Sequence, residues 1–174
     1  SASCARSWSA RPGAHTSALA ISHDGTTIAV GTYRDGRALS ARLLLWNPQT
    51  GAERTLDPFA EGESCAPGEP VAQQVMAATF LRNGRLLTEG NTGLRIWDTA
   101  AGTSRRLRPC TMKRNYKVNL AVTGDDRTAF IQHGWMDPGQ ESDVTALDLL
   151  TGQARPIESH GRRVYSMALD PTDR

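Results

Sequence analysis

Short runs of alternating apolar and polar or small residues recur along the chain, each ending at a turn signal. Leu94-Arg95-Ile96-Trp97-Asp98 runs into Thr99-Ala100-Ala101-Gly102, and Leu43-Leu44-Leu45-Trp46-Asn47 runs into Pro48-Gln49-Thr50-Gly51 in the same order. Val144-Thr145-Ala146-Leu147-Asp148 repeats it before Leu149-Leu150-Thr151-Gly152, with leucine in the tryptophan position. Alternation over about five residues that closes on glycine predicts a half-buried strand entering a hairpin.

A second pattern precedes each of these strands. Ala18-Leu19-Ala20-Ile21 and Ile28-Ala29-Val30-Gly31 flank an Asp24-Gly25 turn, and Met76 to Phe80 and Leu86 to Gly90 flank Asn83-Gly84. Val118 to Val122 and Thr128 to Ile131 flank Asp125-Asp126, and Val164 to Leu169 opens a fourth copy. A short polar strand follows each glycine, as in Ala52 to Leu56, Thr103 to Leu107 and Gln153 to Ile157. Each unit therefore reads as four antiparallel strands, which is one blade of a β-propeller.

The expected class is all-β: a β-propeller fragment of about three four-stranded antiparallel blades plus the start of a fourth. Blade 1 is placed at 15–58, an acidic insertion at 59–75, blade 2 at 76–108, a basic loop at 109–117, blade 3 at 118–158 and the start of blade 4 at 159–174. Residues 1–14 read as a leader or as the outer strand of a ring-closing blade. Propellers close with about four to eight blades. An open row would leave two apolar faces uncovered, so further blades are expected from the same gene product, a second chain or a symmetric copy.

The repeat resembles the WD40 family. Trp97-Asp98 is the dipeptide that names it, and His160-Gly161-Arg162-Arg163-Val164-Tyr165-Ser166-Met167 is similar to the family's entry into an inner strand. The resemblance implies structural roles for His15, Trp46, Trp97, Asp98 and His160, with His15, Thr32, Asp35 and Trp46 suggesting the family's hydrogen-bonded set in the first unit. It departs from the pattern in the second unit, which lacks the histidine, and in the third, which lacks the tryptophan. It also implies a protein-binding domain that rarely catalyses.

Composition changes this picture little. The chain is 39% hydrophobic with 16 glycines and a formal charge of +2, in the range of a folded domain and too weakly basic to imply a polyanion partner. No apolar run approaches the ~20 residues that cross a bilayer. The high ratio of arginine to lysine gives the sequence a bacterial look.

Local charge is more informative. Asp57, Glu61, Glu63 and Glu69 stand without a cation between them, whereas Arg105, Arg106, Arg108, Lys113, Arg114 and Lys117 stand without an acid. Both stretches connect an outer strand to the next inner strand, so they are expected side by side on one face. Mutual docking is favoured there, and nucleic acid is an unfavoured partner because only Tyr116 offers a stacking ring among the cations. Cys65 and Cys110 lie in these two stretches. They are read either as reduced thiols or as a disulfide, the latter implying an oxidising, extracellular setting. The compartment is otherwise open.

Two further loops carry candidate contacts, Tyr33, Arg34 and Arg37 in the first unit and Trp135 and Met136 in the third. Aromatic, methionine and arginine side chains are favoured in interface cores. For Trp135 the competing reading is a strand end packed against a neighbouring blade. No nucleophile elbow, zinc-binding helix motif, phosphate loop or calcium loop occurs. No catalytic, cofactor-binding or metal-binding residue is assigned, and no cofactor is expected. The leading expectation is a non-catalytic WD40-like interaction, docking or sensing module of a larger protein. The alternative is a propeller enzyme or small-ligand binder with a central-channel site completed by further blades; the apolar or small inner-strand residues argue against it.

Overall fold

The computed structural model describes residues 14–34, 42–57, 74–91, 93–109, 116–135, 143–157, 164 and 166–169. Twelve strands occur among them. Blade 1 comprises β1 (Ala14–Ile21), β2 (Ile28–Arg34), β3 (Arg42–Trp46) and β4 (Glu53–Leu56). Blade 2 comprises β5 (Val75–Phe80), β6 (Leu86–Gly90), β7 (Leu94–Asp98) and β8 (Thr103–Arg108). Blade 3 comprises β9 (Tyr116–Val122), β10 (Thr128–Trp135), β11 (Asp143–Asp148) and β12 (Ala154–Ile157). Each is an antiparallel meander in chain order, and the all-β propeller architecture is as the repeats predict.

Three boundaries differ from the sequence reading. Tyr33 and Arg34 belong to β2, where their backbone pairs with His15 and Ala14. Trp135 closes β10 opposite Tyr116, which draws Tyr116 and Lys117 out of the basic loop and into β9. Ladder bonds satisfy backbone groups that a loop would leave to water, so the strands extend beyond their apolar cores. Val164 and Ser166 to Leu169, in the expected start of blade 4, form no sheet ladder among the described residues, which include no second strand of that unit for them to pair with.

Side chains alternate between the two faces of each blade, and the facing sides of neighbouring blades pack together. Between blades 1 and 2, Ala20, Ala29, Leu43, Leu45 and Leu56 pack against Phe80, Leu86 and Trp97. Between blades 2 and 3, Ala77, Leu87, Leu94 and Ile96 pack against Val118, Ala129, Ile131 and Leu147. Inner-strand side chains therefore form the seams between blades. Their apolar character describes stacking and carries no argument about a channel site.

The strand-to-strand turns at one end of the blades are locally braced. Asn47 Oδ1 accepts the N–H groups of Gln49 and Thr50, Asp98 Oδ1 those of Ala100 and Ala101, and Asp148 Oδ1 those of Leu150 and Thr151. In the first hairpin turn the Ser22 hydroxyl, then the Thr26 N–H and hydroxyl, hold the Asp24 carboxyl down to about 2. Braces also cross the seams. Arg54 Nη1 donates to the Thr99 and Ala100 carbonyls at 3.1 and 2.6 Å, and its Nη2 to Ala101 at 3.0 Å. Asp126 accepts the Arg82 and Asn83 N–H groups at 2.8 and 3.0 Å.

Candidate functional site

The opposite end of the blades carries the long connections. From the strand directions, the stretches 35–41, 57–74, 109–115 and 136–142 all leave the sheets there, whereas the braced turns lie at the other end. The acidic and basic stretches thus depart from neighbouring blades on one face. Three of the cations, Arg105, Arg106 and Arg108, belong to β8 and not to the loop.

Beneath this end, a polar cluster lies in the seam between blades 2 and 3. Glu89 sits on β6 and His133 on β10, with Glu89 Oε1 3.8 Å from His133 Nε2. Glu89 is 3% exposed, and burial pushes its carboxyl pKa up, opposed by His133 and by the positive charge of Arg108. Arg108 Nη1 is itself buried and has no hydrogen-bond partner among the described residues. On the far side of β10, Asn119 Nδ2 donates to Gln132 Oε1.

Pairing register explains why these groups are buried. Ile28, Leu86 and Ala129 lie opposite Trp46, Trp97 and Leu147, so Gly31, Glu89 and Gln132 occupy one equivalent position, facing the following blade. At the first seam that position is glycine. A Cβ on Gly31 would press on the Cβ atoms of Ala18 and Val75 and on the Val75 carbonyl, so the blades approach too closely there for a larger side chain. The second seam holds the Glu89–His133 pair at that position.

A second buried cation, Arg95 on β7, faces blade 1. Its Nη1 donates to Ser104 Oγ at 2.9 Å. Burial lowers its pKa, Arg106 adds to that effect, and Asp57, the first acid of the acidic stretch, opposes it. Neither Glu89 nor Arg95 was singled out from the sequence. Their positions inside strands buried on both faces were the available signal, because a charge in such a strand has no solvent side.

The candidates named from the sequence are dispersed. Trp97 is buried and its Nε1 donates to Thr88 Oγ1 at 2.9 Å, while Asp98 is exposed and caps its turn. Trp46 is half-buried, His15 is exposed on β1, and the Thr32 hydroxyl donates to the Arg42 carbonyl at 3.5 Å. Arg37, Met136, His160, Cys65 and Cys110 lie outside the described residues, as do Asp35 and the side chains of Tyr33, Arg34 and Trp135. No group of three or more metal-ligating side chains occurs among the described residues, and no helix there is long and apolar enough to cross a membrane.

No protein-family model matches the sequence, and no curated protein matches it. Solved structures do resemble the fold. The extracellular domain of a B. thetaiotaomicron hybrid two component system superposes with a TM-score of 0.58 at 16% identity, covering 91% of this chain and 19% of that one. TolB from Acinetobacter baumannii gives 0.53 at 13% identity, covering 83% of this chain and 32% of that one. Oligogalacturonate lyase from Vibrio parahaemolyticus gives 0.54 at 12% identity, covering 82% and 39%. The chain thus spans between 19 and 39% of the length of these structures, and the likeness is one of fold: this is part of a β-propeller.

Proposed function

We propose that the chain is a WD40-like docking or sensing module, non-catalytic, whose partner is a protein bound at the end of the blades that carries the long connections. The observation that carries this reading is the asymmetry of the two ends. One is built from short turns braced by Asn47, Asp98 and Asp148 and by cross-seam bonds from Arg54 and Asp126. At the other, β2, β4, β8 and β10 end, and the sequence there continues into long, chemically varied stretches that include Arg37 and Met136. Contacts concentrate on loops held by a rigid scaffold. The extracellular sensor-system domain among the similar structures agrees with a sensing role for this fold.

A matched set of variants of the native protein tests it. Arg37→Ala and the Trp135→Ala/Met136→Ala pair reduce affinity for the co-purifying protein partner by about tenfold or more, as loss of interface anchors does. Gln49→Ala, at the braced end, leaves affinity unchanged. Substrate turnover by the purified protein, abolished by polar substitutions along the channel, would overturn the non-catalytic reading.

A further inference from the structure

We infer that Asn83-Gly84, at the tip of the turn between β5 and β6, is a site of spontaneous deamidation whose product releases the brace between blades 2 and 3. The three hairpin turns at this end share one hydrogen-bond plan. Gly25, Gly84 and Asp126 donate their N–H groups to the carbonyls of Ser22, Leu81 and Thr123, so Asp24, Asn83 and Asp125 hold one equivalent position. Through a side-chain oxygen each accepts the N–H two residues on, from Thr26, Arg85 and Arg127.

Of these three residues Asn83 is the neutral one, and the seam explains it. Asp126 of blade 3 places its carboxylate on the Arg82 and Asn83 N–H groups at 2.8 and 3.0 Å. Its equivalent in blade 2 is Gly84, where a Cβ would meet no atom within 4 Å, so that position directs no acid at the Asp24 turn. Asp24 and Asp125 are held ionised, their pKa values lowered first by the Ser22 and Thr123 hydroxyls. A carboxylate at position 83 would stand beside that of Asp126, and neighbouring carboxylates oppose each other's ionisation.

The turn also supplies the chemistry. Asn83 and Gly84 are both exposed, and Gly84 has no side chain to shield its nitrogen. The Arg85 N–H and Nε–H, 3.0 and 3.4 Å from Asn83 Oδ1, draw electron density from Cγ. Once the Gly84 N–H leaves the Leu81 carbonyl, 3.1 Å away, and gives its proton to hydroxide, the nitrogen attacks Cγ. A new C–N bond closes the succinimide, the Cγ–Nδ2 bond breaks, and Nδ2 departs as ammonia with a proton from water. Water then opens the ring at either carbonyl to leave aspartate or isoaspartate. The net exchange is one water taken up for one ammonia released.

Either product weakens the brace. Aspartate keeps an acceptor for Arg85 but adds a negative charge beside Asp126. Isoaspartate routes the main chain through the former side chain, so the Arg82 and Asn83 N–H groups lose the spacing that one carboxylate spans. Two other asparagines serve as internal comparisons. Asn47 also sits in a turn, but Pro48 after it has no N–H and cannot attack. Asn119 lies within β9, where the ladder to β10 holds the backbone extended.

Peptide mapping of the full chain during incubation at neutral to mildly alkaline pH tests the inference. The peptide holding Asn83 gains the mass of an amide-to-acid exchange and splits into aspartate and isoaspartate forms, about tenfold or more faster than the peptides holding Asn47 or Asn119. Equal rates, or an unchanged Asn83, overturn it. The consequence is read separately by urea denaturation. Asn83→Asp raises the unfolding constant about fivefold to tenfold, on the scale of a lost hydrogen bond to a charged group. In an Asp126→Asn background the same substitution has a much smaller effect, because the opposing charge is gone. Native stability for Asn83→Asp, or an equal loss in both backgrounds, overturns the release of the brace.

Discussion

Glu89 and His133 face each other across the seam between blades 2 and 3, their side chains 3.8 Å apart. A buried polar pair thus stands where the first seam has glycine packed against Ala18 and Val75. Removing one partner of such a pair leaves the other buried without compensation, whereas an isosteric neutral replacement avoids that cost.

Glu89 makes the fold sensitive to pH. Its carboxyl pKa is raised in the folded state by burial. The contribution to stability is therefore fully present below the unfolded value of 4.5 and is lost as pH rises through the folded value. Glu89→Gln, which copies Gln132 at the equivalent position, removes this decline. Urea denaturation across pH 4 to 8 is expected to show a flatter profile for the variant than for the native sequence. Parallel profiles would contradict the assignment.

Trp97 and Thr88 form a buried donor–acceptor pair at 2.9 Å. Thr88→Val strands the indole N–H and is expected to cost about 1 to 3 kcal/mol. Trp97→Phe in the Thr88→Val background removes the stranded donor and recovers part of that loss. A double-mutant cycle by urea denaturation measures the coupling, and strict additivity would show the bond to be energetically silent.

Gly102 carries two constraints at once. Its φ is +76°, and a Cβ there would collide with the Arg54 guanidinium. Gly102→Ala is expected to lower stability by about 1 to 2 kcal/mol, and combining it with Arg54→Ala relieves only the collision, not the backbone cost. Thermal unfolding of the single and double variants separates the two.

Asp126 links the hairpin turns of blades 2 and 3, accepting two backbone N–H groups with φ at 58°. Asp126→Ala loses both bonds and is expected to cost about 1 to 2 kcal/mol. Asp126→Asn keeps an acceptor and tolerates the left-handed conformation, so it costs less. Equal losses for the two variants would place the effect elsewhere.

The repeat made the blades legible in the chain itself. Alternation in Leu94 to Trp97, the glycines after Trp46, Trp97 and Leu147, and the Asp-Gly and Asn-Gly pairs specify strand, turn and strand order through local chemistry. Asp98 was legible as the start of a turn for the same reason. Tertiary structure decided everything that depends on a neighbouring blade. Two tryptophans at equivalent positions of the repeat differ in burial because blade 1 packs against Trp97 and no described blade packs against Trp46. Glu89, an ordinary polar residue near a strand end by pattern, becomes a buried acid because strands with two covered faces leave no side for solvent. Local periodicity sets which way a side chain points, and only stacking sets what it meets there.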